Sequence, residues 1–274
     1  MLLQAKKHDV SIEKLARLND QLRAISISNY ADSLIPPKAQ LQNLFEKFHG
    51  KRFSDAEKLA RSITEEFPEH QFAWKVLGAA SQKMGKTSES LAANQNSVLL
   101  GPKDAEAHNN LGIALQEISR FSDAKRSFRK AISLQPDYAL AHYNLGFILQ
   151  ELDRLAEARD SLQRAIELKP DFAEAQNSLG NIYQRLGRLS EAEVSYRNAI
   201  SSRPAFLEAH KSLLNNLYLS DKKILFFKEY DYLLNQGEVD AVIGSLAFRS
   251  LLRFGVERPN LFCEEPMEYV LQTD

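Results

Sequence analysis

The chain repeats itself at a fixed interval of 34 residues. Prolines recur at this interval, at Pro68, Pro102, Pro136, Pro170 and Pro204, and so do glycines, at Gly78, Gly112, Gly146 and Gly180. A constant period of this length is typical of a chain that stacks copies of one supersecondary unit. Such a chain buries its core between neighbouring units, so we expect its function on a surface rather than in a catalytic pocket.

Other residues fall into register when each proline is placed at position 32 of a 34-residue unit. Position 7 is leucine from Leu77 to Leu213, and small or larger apolar residues recur at positions 20, 24 and 27, such as Ala158, Leu162 and Ala165. The spacing of three and four residues predicts two amphipathic helices in each unit. We expect the glycine and alanine columns where helices cross with their axes about 8–10 Å apart.

These columns resemble the tetratricopeptide repeat, whose pattern is W-x-x-L-G-x-x-Y, then A-x-x-x-F, then P. Trp74, Leu77 and Gly78 carry its opening in the second unit, while Leu44 and Leu214 replace the glycine in the first and sixth units. The resemblance implies an all-α, right-handed superhelical solenoid of antiparallel helix pairs. It predicts an N-terminal helical cap (1–34), an array of about five repeats and a further helix (35–220), and a C-terminal helical cap and junction (221–274).

The turn inside each unit predicts how the second helix begins. Turn residues such as Gly85 and Asp153 are followed three positions later by Ser88, Ser122, Ala156 and Ser190, most of which are favourable N-caps. Ser54 with Glu57, and Ser190 with Glu193, fit the capping box. An acidic residue also follows the predicted cap, at Asp55, Glu89, Asp123, Glu157 and Glu191, where it favours the positive end of the helix dipole.

Composition narrows the function classes. The 35 basic and 36 acidic residues are mixed along the chain, which argues against a nucleic-acid partner. The sequence contains no apolar run long enough for a membrane span, and its first twenty residues lack the features of a secretory signal. A single cysteine, Cys263, excludes an intramolecular disulfide and fits a cytoplasmic location.

The two ends of the stack need covering segments. Residues 11–25 form an apolar helical stripe that either caps the first unit or forms a short dimerising helix. At the other end, Asp221 is predicted to cap a helix, and a further helix is expected from about Val239 to Arg253. Residues 257–274 resemble the junction between bacterial repeat stacks and a catalytic domain such as an iron- and 2-oxoglutarate-dependent oxygenase.

The residues give no indication of an enzyme or a cofactor. His108, His142 and His210 share position 4, but equivalent positions in adjacent units lie about 10 Å apart, too far to share one metal ion. Cys263 has no histidine near it in sequence to activate its thiol. Because no phosphate loop or catalytic triad pattern is evident either, we expect neither catalysis nor a cofactor from this chain.

The resemblance implies that the first helix of each unit lines a concave groove, mainly through positions 2, 5, 6, 9, 12 and 13. In this chain those positions are rich in amides and carry a four-membered glutamine row at position 12. The candidate peptide-binding residues are Lys75, Gln82, Asn109, Asn110, Gln116, Tyr143, Asn144, Gln150, Asn177, Asn181, Gln184, Lys211 and Asn215.

An amide row suits the capture of an extended peptide, because a carboxamide pairs with both the N–H and the C=O of any backbone. It also resembles the asparagine ladder of O-GlcNAc transferases. Repeat duplication alone could equally produce such a row of solvated amides. A clamp for a terminal carboxylate is disfavoured, since Ala79, Leu140 and Asn144 stand where an asparagine and two basic residues are expected.

The sequence therefore predicts a non-catalytic scaffold that binds an extended or disordered protein segment. One alternative is the substrate-docking region of a larger enzyme, of the oxygenase or glycosyltransferase type, whose catalytic part follows Asp274. The other is a self-assembly module that dimerises through its terminal helices.

Overall fold

The computed structural model describes residues 35–254, and within that range all regular structure is helical. The helices of this range are α1 (Lys38–His49), α2 (Phe53–Glu66), α3 (Gln71–Lys83), α4 (Thr87–Leu100), α5 (Ala105–Glu117), α6 (Phe121–Leu134), α7 (Ala139–Glu151), α8 (Leu155–Leu168), α9 (Ala173–Arg185), α10 (Leu189–Ser202), α11 (Leu207–Leu219), α12 (Lys223–Asn235) and α13 (Ala241–Phe254). The all-α helical-repeat class is thus confirmed. The predicted helix at 11–25 and the predicted junction at 257–274 lie outside the described residues.

Each helical hairpin turns at one residue in the left-handed backbone region. These residues keep the 34-residue interval and have φ between 56° and 72°: Lys51, Gly85, Ser119, Asp153, Gly187 and Asp221. After Lys51, Gly85, Asp153, Gly187 and Asp221 the next residue donates its N–H five positions back, as Arg154 does to the Leu149 carbonyl at 2.8 Å, which closes the first helix in a Schellman-type turn. The register therefore extends through a sixth hairpin, although Leu214 replaces the glycine there.

The predicted serine caps are wrong. The second helices begin one residue before Ser88, Ser122 and Ser190, and their N-cap residues are Lys86, Arg120, Arg154 and Arg188, none of which makes a side-chain cap bond. Because the left-handed residue makes the turn very short, the second helix begins before the serine. Ser54 likewise lies inside α2, whose N-cap is Arg52, so both predicted capping boxes are absent.

A basic residue occupies the N-cap position in place of the predicted serine. Arg188 pairs with Glu191 at 2.6 Å, and Arg120 and Arg154 contact the acidic residue three positions later in the same way. The predicted acidic residues do lie in the first helical turn, where they offset both the basic cap and the helix dipole. Asp221 does not cap α12 either, because it occupies the left-handed position and its carboxylate lies 3.4 Å from Arg253.

The chain divides after Ser119 into two compact units, called here the N-terminal unit and the C-terminal unit. In the N-terminal unit, α1 to α5 each pack on the next helix, and the first helices α1, α3 and α5 also pack on one another. A buried cluster fills this unit, and it includes Leu44, Ala60, Ile63 and Leu77. Here the large Leu44 occupies position 8 and the small Ala60 position 24, which reverses the usual order of sizes.

The C-terminal unit follows the same packing rules. Helices α6 to α13 pack in sequence, and the first helices α7, α9 and α11 also contact one another. Its largest cluster joins Tyr196, Leu213 and Leu214 to Phe226 and Tyr230 of the last hairpin. Helix α13 begins two residues later than predicted and is capped by Asp240, which accepts the N–H of Ile243 at 3.0 Å.

The glycine at position 8 faces the side chain at position 24 of the same repeat at very short range. A methyl group built on Gly146 would lie 2.7 Å from Leu162 Cγ, and one on Gly180 would lie 2.4 Å from Tyr196 Cε1. Side-chain carbons do not approach this closely, so the two helices can keep their spacing only if position 8 lacks a side chain. This confirms the predicted role of the glycine column at the helix crossing.

Gly180→Ala should lower the free energy of unfolding by about 1–3 kcal/mol, because the buried Tyr196 ring has to move. In an open helix the same exchange would stabilise the chain by about 1 kcal/mol, since alanine is the better helix former. Urea denaturation followed by circular dichroism measures the difference. A variant at least as stable as the parent would contradict the close approach.

Position 4 holds each hairpin to the loop before it. The side chains of Trp74, His108, His142, Gln176 and His210 each bond the carbonyl of the proline six residues earlier, at 2.6–3.0 Å. Tryptophan and the glutamine nitrogen can only donate, and the carbonyl can only accept, so the histidines donate from Nε2. The histidines of this column are therefore parts of a repeated structural bond.

His210 makes a second bond through its other ring nitrogen. Its Nδ1 contacts Glu229 Oε1 on α12, and its ring stacks on Tyr232 with centroids 5.4 Å apart. Burial by itself lowers the pKa of His210, but the hydrogen bonds to Glu229 and to the Pro204 carbonyl outweigh it and raise that pKa above 6.5. Both ring nitrogens then act as donors, which is the bonding pattern of the protonated ring.

The stabilisation from His210 should be complete below the unfolded-state pKa and should disappear as the pH rises through the higher folded-state pKa. His210→Gln is the matched variant, because Gln176 shows that glutamine at this position keeps the bond to proline. Melting temperatures measured from mildly acidic to mildly alkaline pH should fall more steeply for the parent than for the variant. Parallel pH profiles would show that His210 does not titrate in this range.

Candidate functional site

The predicted binding residues all lie on first helices. In the N-terminal unit they are carried by α3 and α5, and in the C-terminal unit by α7, α9 and α11. Since the first helices contact one another within each unit, residues at equal positions follow one another across neighbouring helices. We call this surface the first-helix face of each unit.

Three of the predicted residues are buried. Asn109, Asn144 and Asn177 are 1%, 8% and 6% exposed, and each lies at position 5 or 6 of its repeat. The other ten predicted residues are partly exposed. The part of the predicted row that a partner can reach is therefore centred on positions 9 and 12, with Asn110 at position 6 as the accessible asparagine of the N-terminal unit.

In the N-terminal unit, several predicted residues contact the next repeat. The Lys75 ammonium lies 3.1 Å from Asp104 Oδ2 and 2.6 Å from Glu106 Oε2, and Gln82 donates to Glu117 at 2.9 Å. Burial alone lowers the pKa of Lys75, but the bonds to Glu106 and Asp104 outweigh it and raise that pKa. Lys75 is thus a charged link between α3 and α5.

The C-terminal unit shows the same kind of link. Asn181 accepts the hydroxyl of the buried Tyr196 at 2.9 Å, and Asn215 donates to Gln184 at 3.5 Å. Lys211 pairs with Asp240 at 2.5 Å. Burial raises the pKa of Tyr143, whose ring lies 4.9 Å from that of Phe172. Asn215 thus joins neighbouring repeats, Lys211 joins α11 to the start of α13, and Asn181 joins the two helices of one repeat.

Three predicted amides are accessible and make no side-chain hydrogen bond within the described residues. Across residues 35–254, no hydrogen bond engages the side-chain amides of Asn110, Gln116 and Gln150, and all three are partly exposed. Each offers two N–H donors and one carbonyl acceptor to a partner. Of the predicted set, these three fit direct contact with a ligand best.

Aromatic residues on the same face were missed. Phe45 and Phe48 of α1 and Phe72 of α3 occupy positions 9, 12 and 2, which are the positions expected to face a partner. The 34-residue register is the sequence signal for these aromatic residues, because it assigns them to the positions of the first helix that are expected to face a partner. They give the N-terminal unit an apolar surface beside its amides.

No helix between residues 35 and 254 combines the length and apolar composition needed to cross a bilayer. In that stretch, no three side chains among His, Cys, Asp and Glu come together as a metal-binding group.

Known repeat families match the middle of the chain. Profiles described as tetratricopeptide repeat match residues 105–138, 127–160 and 173–206, and a profile described as TPR repeat matches residues 148–187. These matches fall on the part of the sequence where the leucine, glycine, alanine and proline columns occur together. A comparison with curated proteins gives no significant sequence match.

Solved structures with the same fold are numerous and distant in sequence. PilW, described as a widely conserved type IV pilus biogenesis factor, superposes with a TM-score of 0.70 at 16% identity over 77% of this chain and 100% of its own. PilF of Pseudomonas aeruginosa gives 0.62 at 20% identity, covering 74% and 87%. YrrB, described as a TPR protein with an unusual peptide-binding site, gives 0.55 at 19% identity, covering 72% and 98%.

Proposed function

Because the chain belongs to the tetratricopeptide-repeat family and is a scaffold for protein–protein interaction, we propose that it binds an extended segment of another protein along its first-helix faces. The observation that carries this proposal is the set of accessible, uncommitted amides of Asn110, Gln116 and Gln150. Asparagine and glutamine without a partner inside the fold keep their full hydrogen-bonding capacity for a ligand.

The spacing of the repeats suits an extended ligand. Neighbouring first helices pack about 10 Å apart, and three residues of extended chain also cover about 10 Å at 3.3 Å per residue. Within each unit, amides at this spacing can therefore meet a backbone N–H or C=O of the ligand at every third residue. Because these bonds are made to the backbone, we expect weak sequence selectivity from the amides themselves.

Two further points belong to the proposal. The tetratricopeptide repeat is typically a non-catalytic fold, and we extend that character to this chain. The peptide-binding site described for YrrB supports a peptide as the ligand class, although the two chains share only 19% identity. A cytoplasmic location and a homodimer through terminal helices stay predictions of the sequence.

Replacement of Asn110, Gln116 and Gln150 by alanine should weaken peptide binding about tenfold or more, since each lost backbone bond contributes about 0.5–1.5 kcal/mol. The ligands are peptides selected from a random library by the wild-type chain, and fluorescence anisotropy measures their dissociation constants. The melting temperature should hardly change, because these side chains make no bond within the described fold.

A matched control replaces Gln95 of α4 and Asn198 of α10, two exposed amides on second helices, by alanine. This variant should bind the selected peptides as the parent does. Equal affinity of the triple variant and the parent would reject the amide contacts, and so would an equal loss in the control.

A further inference from the structure

A cavity of about 250 Å³ opens on the first-helix face of the N-terminal unit. Its walls come from α1, α3 and α5, and its apolar lining includes Phe45, Phe48 and Phe72. Sites that enclose a whole small molecule measure about 300–1,000 Å³, so this volume suits a single large side chain better. We call it the anchor cavity.

The anchor cavity exists because position 9 is small in the second repeat. Ala79 stands there, whereas the other repeats carry Phe45, Ile113, Phe147, Asn181 and Asn215. Ala79 is partly exposed and lines the cavity together with Val76. A longer side chain at this position would fill the space that a ligand could enter.

The walls of the anchor cavity are held in place by the fold. Phe48 and Phe72 pack against the buried cluster of the N-terminal unit. Phe45 is 44% exposed, and its ring stacks on His49 with centroids 3.8 Å apart. The cavity is therefore present before a ligand arrives, which reduces the entropic cost of binding.

The charged lining of the anchor cavity consists of Lys75 and Glu106. Lys75 is held between Glu106 and Asp104, which lies outside the lining, so the positive charge of Lys75 is already matched by carboxylates. The Glu106 side chain is 56% exposed and can be reached by a ligand. Asn110 also lines the cavity, so its side-chain amide offers a donor and an acceptor for the ligand backbone beside Glu106.

We propose that the anchor cavity holds one aromatic or large aliphatic side chain of the bound segment, with a basic residue next to it in sequence. The basic residue pairs with Glu106, and Asn110 bonds the backbone between the two. This proposal rests on the proposed function and adds to it the chemistry of the partner: an extended segment that contains an apolar–basic pair.

The probe is the capped dipeptide N-acetyl-Phe-Lys-amide, titrated at millimolar concentrations into the isotopically labelled full chain and followed by NMR. Saturable shifts should appear at the backbone amides of Val76, Ala79 and Asn110. N-acetyl-Ala-Lys-amide should bind at least about tenfold more weakly, because it lacks the buried ring. N-acetyl-Phe-Glu-amide should bind about threefold more weakly, because its charge repels Glu106.

Variants at the cavity give the decisive comparison. Ala79→Leu should abolish saturable binding of the Phe-Lys probe by filling the space, while Ala79→Ser, its matched control, should keep it. Phe45→Ala removes a wall that contributes little to the buried cluster, and it should weaken binding about tenfold. Melting curves of all three variants check that the fold is retained.

The outcomes separate this proposal from the one on which it rests. Shifts that map elsewhere, or binding unaffected by both Ala79→Leu and Phe45→Ala, would overturn the anchor cavity. If the library peptides still lose affinity in the triple amide variant, the proposed function stands without the anchor cavity. Binding of the probe in the cavity with no effect of the amides on longer peptides would instead support the anchor and reject the amide row.

Discussion

The close approach of paired helices at positions 8 and 24 is the contact on which each repeat depends. At Gly146 and Gly180 a single added methyl group would overlap the facing Leu162 or Tyr196, so the helix spacing is set by the absence of a side chain. The first repeat meets the same condition with the sizes reversed, since Leu44 occupies position 8 and Ala60 position 24. In these repeats one of the two crossing positions is therefore small, whereas the sixth repeat has two large buried residues there, Leu214 and Tyr230.

The turns and loops hold the register that this crossing requires. A left-handed residue at every position 15 closes the first helix, even where the residue is Lys51, Ser119 or Asp153 rather than glycine. At the other end of the hairpin, position 4 bonds the proline carbonyl of the preceding loop through tryptophan, histidine or glutamine. Different side chains perform the same bond because only a suitably placed N–H donor is needed. In the last hairpin, His210 adds a second bond, to Glu229, which favours the protonated ring and contributes to the raised pKa of His210.

The polar residues of the first-helix faces fall into two groups. Lys75, Gln82 and Asn215 link neighbouring repeats and Asn181 links the two helices of one repeat, whereas the amides of Asn110, Gln116 and Gln150 make no bond within the described residues. A stacked fold needs polar links between repeats, and it needs free polar groups to bind a partner. Both groups contain amide side chains, and both include a glutamine at position 12. The anchor cavity differs in kind, since it results from one small residue among large ones.

The sequence by itself determined the fold class, the helix register and the glycine crossings, because all of these follow from a period that is visible along the chain. It did not determine where the second helices begin, since the tight left-handed turn moved the helix start ahead of Ser88 and Ser190. Nor did it show which amides are accessible, because Asn144 is buried and Asn110 is partly exposed although both stand at position 6 of their repeats. The anchor cavity also required the tertiary structure. Its walls come from three helices, and the space between them depends on the distances at which those helices pack.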